Sequence, residues 1–173
     1  LENYGAERAP HLIAEKRMYA EYCRRRTYLS CWHASGTESA AMWQLYGGGA
    51  EAIAIAIRAG QLRASLPDHV ELRHVRYENL STTFISEGAS TDQFFYKQRF
   101  FEHEREVRAL LQYQPEIRSD EDLLSEWPDH GLLISDTRLL AGLDHVRVGP
   151  SAPQYFFDVV TELCKRFEVA VPV

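Results

Sequence analysis

The sequence is poor in cysteine, and its three cysteines, Cys23, Cys31 and Cys164, are widely spaced. No two of them form a Cys-x-x-Cys pair, so neither a disulfide framework nor a zinc ribbon is indicated. None of the histidines belongs to a His-Glu-x-x-His motif or a Cys/His cluster, so we predict no metal site. This cysteine usage predicts a reducing, cytoplasmic location.

Long apolar runs and positive charge are also scarce. No stretch approaches the roughly 18 residues of a membrane span, and Leu1 to Pro10 lacks the order of a signal peptide. The start at Leu1 leads us to expect sequence upstream. A net charge of -6 argues against a broad nucleic-acid surface. Arg24, Arg25 and Arg26 are a local exception, which the end of a predicted helix explains as a solvated terminus.

The remaining composition fits one globular domain over residues 1–173, with 45% hydrophobic content. Helix and strand patterns mix without strict β-α alternation, which predicts an α+β fold with a central mixed or mostly antiparallel sheet flanked by helices. Helices are predicted at 10–26, 37–46, 92–103 and 152–167, strands at 28–32, 52–57, 70–77, 107–113, 131–134, 145–148 and 169–173, and a loop at 120–127.

Two common catalytic patterns do not fit. The glycines Gly47 to Gly49 close a helix and precede a strand, whereas phosphate-binding loops open a helix after a strand. No Gly-x-Ser-x-Gly elbow is present. Cys31 and His33 share a face only in an extended strand, and a buried structural cysteine is the commoner case for Cys31.

The acidic run from Glu102 to Arg108 has two interpretations. In an extended chain Glu102, Glu104, Glu106 and Arg108 point to one side, which is costly unless solvent or a ligand lies there. In a helix Glu102 and Glu106 stack four residues apart on an ordinary solvated face, which is slightly favoured. The flanking residues also allow a helix-to-strand junction at the glutamates, and such junctions often carry functional groups.

The sequence has Tyr28 to His33, then Met42-Trp43-x-x-Tyr46, then the strand Ile53 to Ile57, then Lys97 with Phe101-x-x-Glu104-x-Glu106-x-Arg108. This order of motifs resembles a widespread bacterial family of uncharacterised function. The family's pattern combines Cys-Phe-Ser, Met-Trp-x-x-Tyr, a glycine-led strand, and Lys before Trp/Phe-x-x-Glu-x-Glu-x-Arg. His33 stands where that family has serine. The likeness covers most of the chain from Tyr28 onward.

That pattern is in turn similar to the layout of ADP-ribosyltransferases. The resemblance implies NAD as a substrate and no required cofactor, with Glu106 stabilising the oxocarbenium-like ribose and Glu104 orienting the acceptor. Arg108 is expected to be the partner of these glutamates. The residues that it implies for nucleotide binding are Ser30, Trp32, Trp43, Tyr46 and Arg108.

Two alternatives to an active transferase stay open. The layout's opening Arg or His has no match, since Arg8 and His11 lie at the start of a predicted helix and not on a strand, and the Asn-Asp-Pro segment of the bacterial family is lacking. If the opening Arg or His is required for activity, the chain is either trimmed or inactive. A non-catalytic binding domain, with a protein partner or a second copy as ligand, is the rival hypothesis. Trp43 and Tyr46 would then be core residues, as aromatics at helical spacing usually are. By analogy, the transferase hypothesis implies a role in bacterial stress or phage defence.

Overall fold

The computed structural model describes residues 9–85, 91–112 and 137–173, and the strand predicted at 131–134 and the loop at 120–127 lie outside them. Helices and small sheets are mixed, which confirms the α+β class. The helices are α1 (Ala9–Arg25), α2 (Ala40–Tyr46), α3 (Ala59–Ser65), α4 (Thr137–Ala141) and α5 (Gln154–Arg166). The strands are β1 (Thr27–His33), β2 (Ile53–Ile57), β3 (Glu71–His74), β4 (Arg76–Glu78), β5 (Tyr96–Gln98), β6 (Glu106–Gln112) and β7 (Leu143–Val148).

The described strands form three small sheets, so the prediction of one central sheet is wrong for this part of the chain. An antiparallel sheet has the order β1-β6-β3, an antiparallel pair joins β2 to β7, and a parallel pair joins β4 to β5. The physical reason is that the Ile/Ala strand β2 pairs with β7 and not with the sheet around β6. One edge of β1 and one edge of β2 therefore stay unpaired among the described residues.

The two faces of the β1-β6-β3 sheet differ in chemistry. On one face Val70, Ala109 and Leu111 form a buried apolar cluster, against which Tyr28 and Leu72 pack. Residues directly opposite in an antiparallel pair share a face. The register therefore places Cys31, His33, Glu106, Arg108 and the buried Leu110 on the other face.

The segment 92–103 is not the continuous helix that its aromatic pattern predicts. It consists of 3₁₀ turns at Asp92–Phe95 and Arg99–Glu104, with β5 between them. Pairing of β5 with β4 holds the middle of the segment in an extended conformation, and Phe95, directly before β5, is buried. A short sheet has thus replaced the helix.

Two further predicted strands need correction. The strand at 70–77 is interrupted at Val75, whose buried side chain and hydrogen bond to the Glu106 carbonyl (2.9 Å) separate β3 from β4. Residues 169–173 form no strand, although the Pro172 carbonyl accepts a hydrogen bond from the Val146 N–H at 2.9 Å. This backbone hydrogen bond joins residues 169–173 to β7, but no ladder of strand hydrogen bonds forms.

The end of α1 is only partly the solvated terminus that its arginines predict. Arg24 and Arg25 are exposed and pair with Glu21. Arg26 is 1% exposed, and its guanidinium lies 3.9 Å from the centre of the Tyr22 ring. Burial against an aromatic ring corrects the prediction for Arg26. Within the described ranges, the helices lack the length and apolar character that crossing a membrane requires.

Candidate functional site

The acidic run is a junction between a 3₁₀ turn and a strand. Glu104 ends the turn, Arg105 adopts a left-handed conformation with φ 42°, and Glu106 begins β6. The change of direction at Arg105 aims both flanking glutamates inward. Glu104 and Glu106 are each 6% exposed, whereas Glu102 stays on the surface. Neither the fully extended nor the fully helical interpretation is right.

Two cations neutralise these glutamates. The Lys97 ammonium forms an ion pair with the Glu104 carboxylate and lies 3.4 Å from Oε2 of Glu106. Arg108 binds Glu106 through two parallel contacts, Nε to Oε1 at 2.8 Å and Nη2 to Oε2 at 3.0 Å. We call Lys97, Glu104, Glu106 and Arg108 the ion cluster. Its two positive and two negative charges cancel, which permits two carboxylates to lie side by side under cover.

Neighbouring groups hold the backbone of the junction. The Tyr77 hydroxyl accepts a hydrogen bond from the Glu106 N–H at 2.7 Å, and the Glu104 carbonyl lies 2.6 Å from Nδ1 of His33. Arg108 also donates to the Phe94 carbonyl. These contacts tie the second 3₁₀ turn and β6 to β1, β4 and the first 3₁₀ turn, so three other parts of the chain position the cluster.

The Glu106 carboxyl is strongly acidic. Burial would raise its pKa, but hydrogen bonds from Arg108 and Cys31 and the charges of Arg108 and Lys97 outweigh burial and lower the pKa to about 2. The same contact acts oppositely on Cys31. Burial of the thiol, followed by its hydrogen bond to Glu106, raises the pKa of Cys31 to about 11. At neutral pH Glu106 is thus an anion and Cys31 is a protonated thiol.

A cleft of about 450 Å³ lies beside the cluster, between the unpaired edges of β1 and β2 and against α2. Such a volume is typical of small-molecule sites. Its lining combines aromatic and apolar side chains with hydroxyls and one arginine. The lining includes Ser30, Cys31, Trp32, Glu38, Trp43, Tyr46, Ala54 and Arg147.

The residues that the resemblance implies for nucleotide binding fall into two groups. Ser30, Trp32, Trp43 and Tyr46 line the cleft. Ser30 and Trp32 project from the face of β1 opposite to Glu106 and Arg108, since alternate residues of a strand face opposite ways. Arg108 is outside the lining and binds Glu106.

Tyr46 is the link between the cleft and the ion cluster. It is 63% exposed, and α2 has no buried residue in the described part of the chain, so Trp43 and Tyr46 are not core residues there. Burial of the Tyr46 hydroxyl, together with its hydrogen bond to the Glu104 carboxylate, raises the pKa of Tyr46. Glu104 is thereby within reach of a group that faces the cleft.

Glu106 also borders a second cleft on the other side of the junction. That cleft measures about 580 Å³, and His74, Tyr77 and Arg105 line it together with Glu106. Each glutamate has a neighbour in the β1–β2 cleft: Tyr46 interacts with Glu104, and Cys31 interacts with Glu106.

Three residues of the site were not among those predicted from the sequence. Lys97 belongs to the motif that ends in Glu104-x-Glu106-x-Arg108. Because two neighbouring glutamates need positive charge to be buried, Lys97 could have been predicted to be their partner. Cys31 interacts with Glu106 because the two strands pair, and strand alternation predicts its face once β1 is placed beside β6. Tyr77 lies 29 residues away from Glu106 and has no such signal.

Nothing in the described ranges groups three or more histidine, cysteine, aspartate or glutamate residues in a way that could hold a metal ion. Comparison with family models, with curated proteins and with solved structures finds no match to this chain. The inference about function therefore depends on the geometry of the cleft and the ion cluster.

Proposed function

We propose that this chain binds NAD in the cleft between β1 and β2 and cleaves its nicotinamide–ribose bond, as an ADP-ribosyltransferase or an NAD glycohydrolase. The observation that carries the proposal is the cleft of about 450 Å³, lined by Trp43 and the exposed Tyr46, which lies beside the buried Glu104 carboxylate. A surface suited to a planar ring thus lies next to a carboxylate suited to a developing positive charge, and burial together with the charge of Glu104 raises the pKa of Tyr46.

The cleft offers the chemistry that a dinucleotide needs. Trp43 and Tyr46 supply aromatic surface on α2, and the open edges of β1 and β2 supply backbone N–H and C=O groups for the polar edges of a base. Ser30 adds a hydroxyl. The two-sheet arrangement around the cleft supports an ADP-ribosyltransferase-like layout as the finer fold assignment.

The proposed reaction breaks the bond between C1′ of the ribose and the pyridinium nitrogen. Nicotinamide leaves as a neutral molecule with the electron pair of that bond, and water or an acceptor hydroxyl adds to C1′ and releases its proton. The positive charge on the ribose in the transition state is stabilised by a nearby carboxylate. Such a reaction would take place in the cytoplasm, and its use in stress or phage defence is proposed by analogy.

Of the two glutamates, Glu104 is the better candidate for contact with the ribose. Both oxygens of Glu106 are bound by Arg108, whereas Glu104 is bound by Lys97 and reaches Tyr46. In this proposal Glu104 stabilises the positive charge of the transition state, and Glu106 holds Arg108 and Lys97 in place. These roles differ from those that the resemblance implies, in which Glu106 stabilises the charge.

Release of nicotinamide from NAD by purified variants tests the proposal. Glu104→Gln should lower kcat by about 100-fold or more, since it removes the charge that stabilises the transition state. Glu102→Gln is the matched control, because Glu102 is an exposed carboxylate of the same turn. Its rate should equal that of the wild type. Equal rates for Glu104→Gln and the wild type, or no turnover in a folded wild-type chain, would contradict the catalytic role.

A non-catalytic binding domain is the second candidate, and one observation favours it. Glu104 and Glu106 are neutralised by Lys97 and Arg108, and neither glutamate is among the residues that line the β1–β2 cleft. In that case the ion cluster would stabilise the floor beside a ligand-binding cleft without touching the ligand. Saturable NAD binding without nicotinamide release in any variant would support this candidate.

A further inference from the structure

We infer that Arg147 is the residue of the β1–β2 cleft that recognises the diphosphate of the ligand, and that the diphosphate displaces Glu38, the ion-pair partner of Arg147. The inference rests on the proposed function and names the group that would orient the dinucleotide. Arg147 is the one arginine, and Glu38 the one carboxylate, among the described residues that line the cleft. An anionic ligand therefore has one strong partner and one competitor there.

The register of β2 and β7 explains how Arg147 reaches the cleft. Arg147 lies on β7 directly opposite Ala54 of β2, and paired residues of this kind share a face. The alanine has only a methyl group, so the arginine side chain can cross over β2 toward the cleft on its far side. The alternation of Ile and Ala in β2 thus has a function beyond packing.

The pair between Arg147 and Glu38 is suited to exchange. Nη1 of Arg147 lies 3.0 Å from Oε1 of Glu38, and the two side chains are 38% and 50% exposed. Exposed ion pairs are weak, so little is lost when the pair opens. A diphosphate offers a guanidinium more charge and a bidentate geometry, so it would displace the glutamate.

Glu38 also has a contact with Trp43. Its Oε2 lies 3.4 Å from Nε1 of Trp43, an indole that also lines the cleft. When a diphosphate takes Arg147, Glu38 retains this contact and stays beside the Trp43 ring. The same carboxylate would then repel any anion placed away from Arg147, which fixes the direction in which the ligand lies.

Calorimetric titration of NAD and of inorganic pyrophosphate into matched variants tests the inference. Arg147→Gln should weaken the binding of both probes by about ten-fold or more, which is the usual loss for a charged hydrogen-bonded pair. Arg147→Lys should be intermediate, because it keeps the charge and loses the bidentate geometry. Glu38→Gln should strengthen both by a few-fold, since it removes the competitor.

Arg58→Gln is the control for the loss of one positive charge. Arg58 is an exposed arginine with its own ion pair to Asp144 at 3.4 Å, and it is outside the residues that line the cleft. It should change the affinity for either probe by less than about two-fold. Thermal unfolding of each variant confirms that all are folded.

The outcomes separate this inference from the proposed function. If NAD binds the wild type and Arg147→Gln equally well, the inference fails and the proposed function stands. If pyrophosphate binds in an Arg147-dependent manner but NAD does not bind, the inference stands and the proposed function fails. If neither probe binds the folded wild type, both fail.

Discussion

Glu106 shows how a carboxylate can be buried beside another carboxylate without destabilising the fold. Two contacts from Arg108 satisfy both of its oxygens, Lys97 serves Glu104 and Glu106 together, and Cys31 donates a further hydrogen bond. Removing one partner from such a group leaves an unpaired buried charge, which costs more than the pair itself contributes. The ion cluster is therefore a unit whose members depend on one another.

The low pKa of Glu106 predicts a loss of stability in acid. Its folded pKa of about 2 lies below the ordinary glutamate pKa of 4.5, so the unfolded chain binds the proton more readily between these two pH values. The stabilisation is therefore complete above about pH 4.5 and falls as the pH drops toward 2. At about 1.4 kcal/mol per pKa unit, the contribution amounts to roughly 3 kcal/mol.

Urea unfolding at pH 5 and pH 2.5 measures this contribution. The wild type should lose about 2–3 kcal/mol more than Glu106→Gln over that interval, because the variant has no carboxyl to protonate at this position. Equal losses in the two proteins would show that Glu106 does not have a lowered pKa.

The thiol of Cys31 should react slowly with alkylating reagents, although Cys31 is an exposed residue. Burial of the thiol, its hydrogen bond to Glu106 and the charge of Glu106 raise the pKa of Cys31 to about 11, so little thiolate exists near neutral pH. At pH 8 we expect alkylation by iodoacetamide to be about ten-fold or more slower than that of free cysteine. Peptide mass spectrometry distinguishes Cys31 from the buried Cys23 and from Cys164.

Glu106→Gln provides the comparison for this reactivity. The variant removes the anion that opposes thiolate formation, so modification of Cys31 should accelerate. A wild-type rate equal to that of free cysteine would contradict the contact between the thiol and the carboxylate.

At the scale of elements, the junction between the second 3₁₀ turn and β6 depends on one residue. Arg105 has φ 42° and ψ 51°, a left-handed conformation that costs a residue with a Cβ about 1 kcal/mol or more. Its side chain is exposed, so a substitution there acts chiefly through the backbone. The turn it makes is what brings Glu104 and Glu106 under cover.

Substitution at Arg105 tests this conclusion. Arg105→Gly should increase the free energy of unfolding by about 0.5–1 kcal/mol, because glycine adopts the conformation without steric cost. Arg105→Val should decrease it by about 1 kcal/mol or more, because a β-branched side chain tolerates positive φ poorly. Chemical denaturation of the three proteins measures both changes, and the opposite order of stability would refute the left-handed junction.

Local patterns predicted some elements well, for reasons that lie within the elements themselves. The Ile/Ala alternation predicted β2, and Gly47 predicted the end of α2, whereas the helix begins at Ala40, three residues later than predicted, with Ser39 as its cap. The segment 92–103 was mispredicted because its middle is drawn into a parallel pair with β4, a contact distant in sequence. No periodicity within the segment encodes that pairing.

The candidate site was predictable to a similar extent. The spacing of the motif identified Glu104, Glu106 and Arg108, and the structure places all three in one ion cluster. The burial of both glutamates depends on the left-handed turn at Arg105, and the partner Tyr77 comes from a separate strand. Such features follow from tertiary pairing, and a motif cannot reveal them.

At the scale of the whole molecule, the proposed function depends on the separation of two small sheets. Because β2 pairs with β7 and leaves β1 at the edge of another sheet, a cleft of about 450 Å³ forms between them. A single continuous sheet would have closed this space with hydrogen bonds. The ion cluster lies on the β1-β6-β3 side of the cleft, and Arg147 reaches the cleft from the β2–β7 side. A ligand in the cleft would therefore contact both sheets.

Calorimetric titration of NAD into the wild-type chain tests the central claim most directly, with Trp43→Ala as the comparison. We predict saturable binding with one NAD per chain, and a weakening of about ten-fold in Trp43→Ala through loss of aromatic surface in the cleft. The contradictory result is a folded wild-type chain that shows no saturable binding of NAD at millimolar concentration, or one that binds NAD as tightly without Trp43.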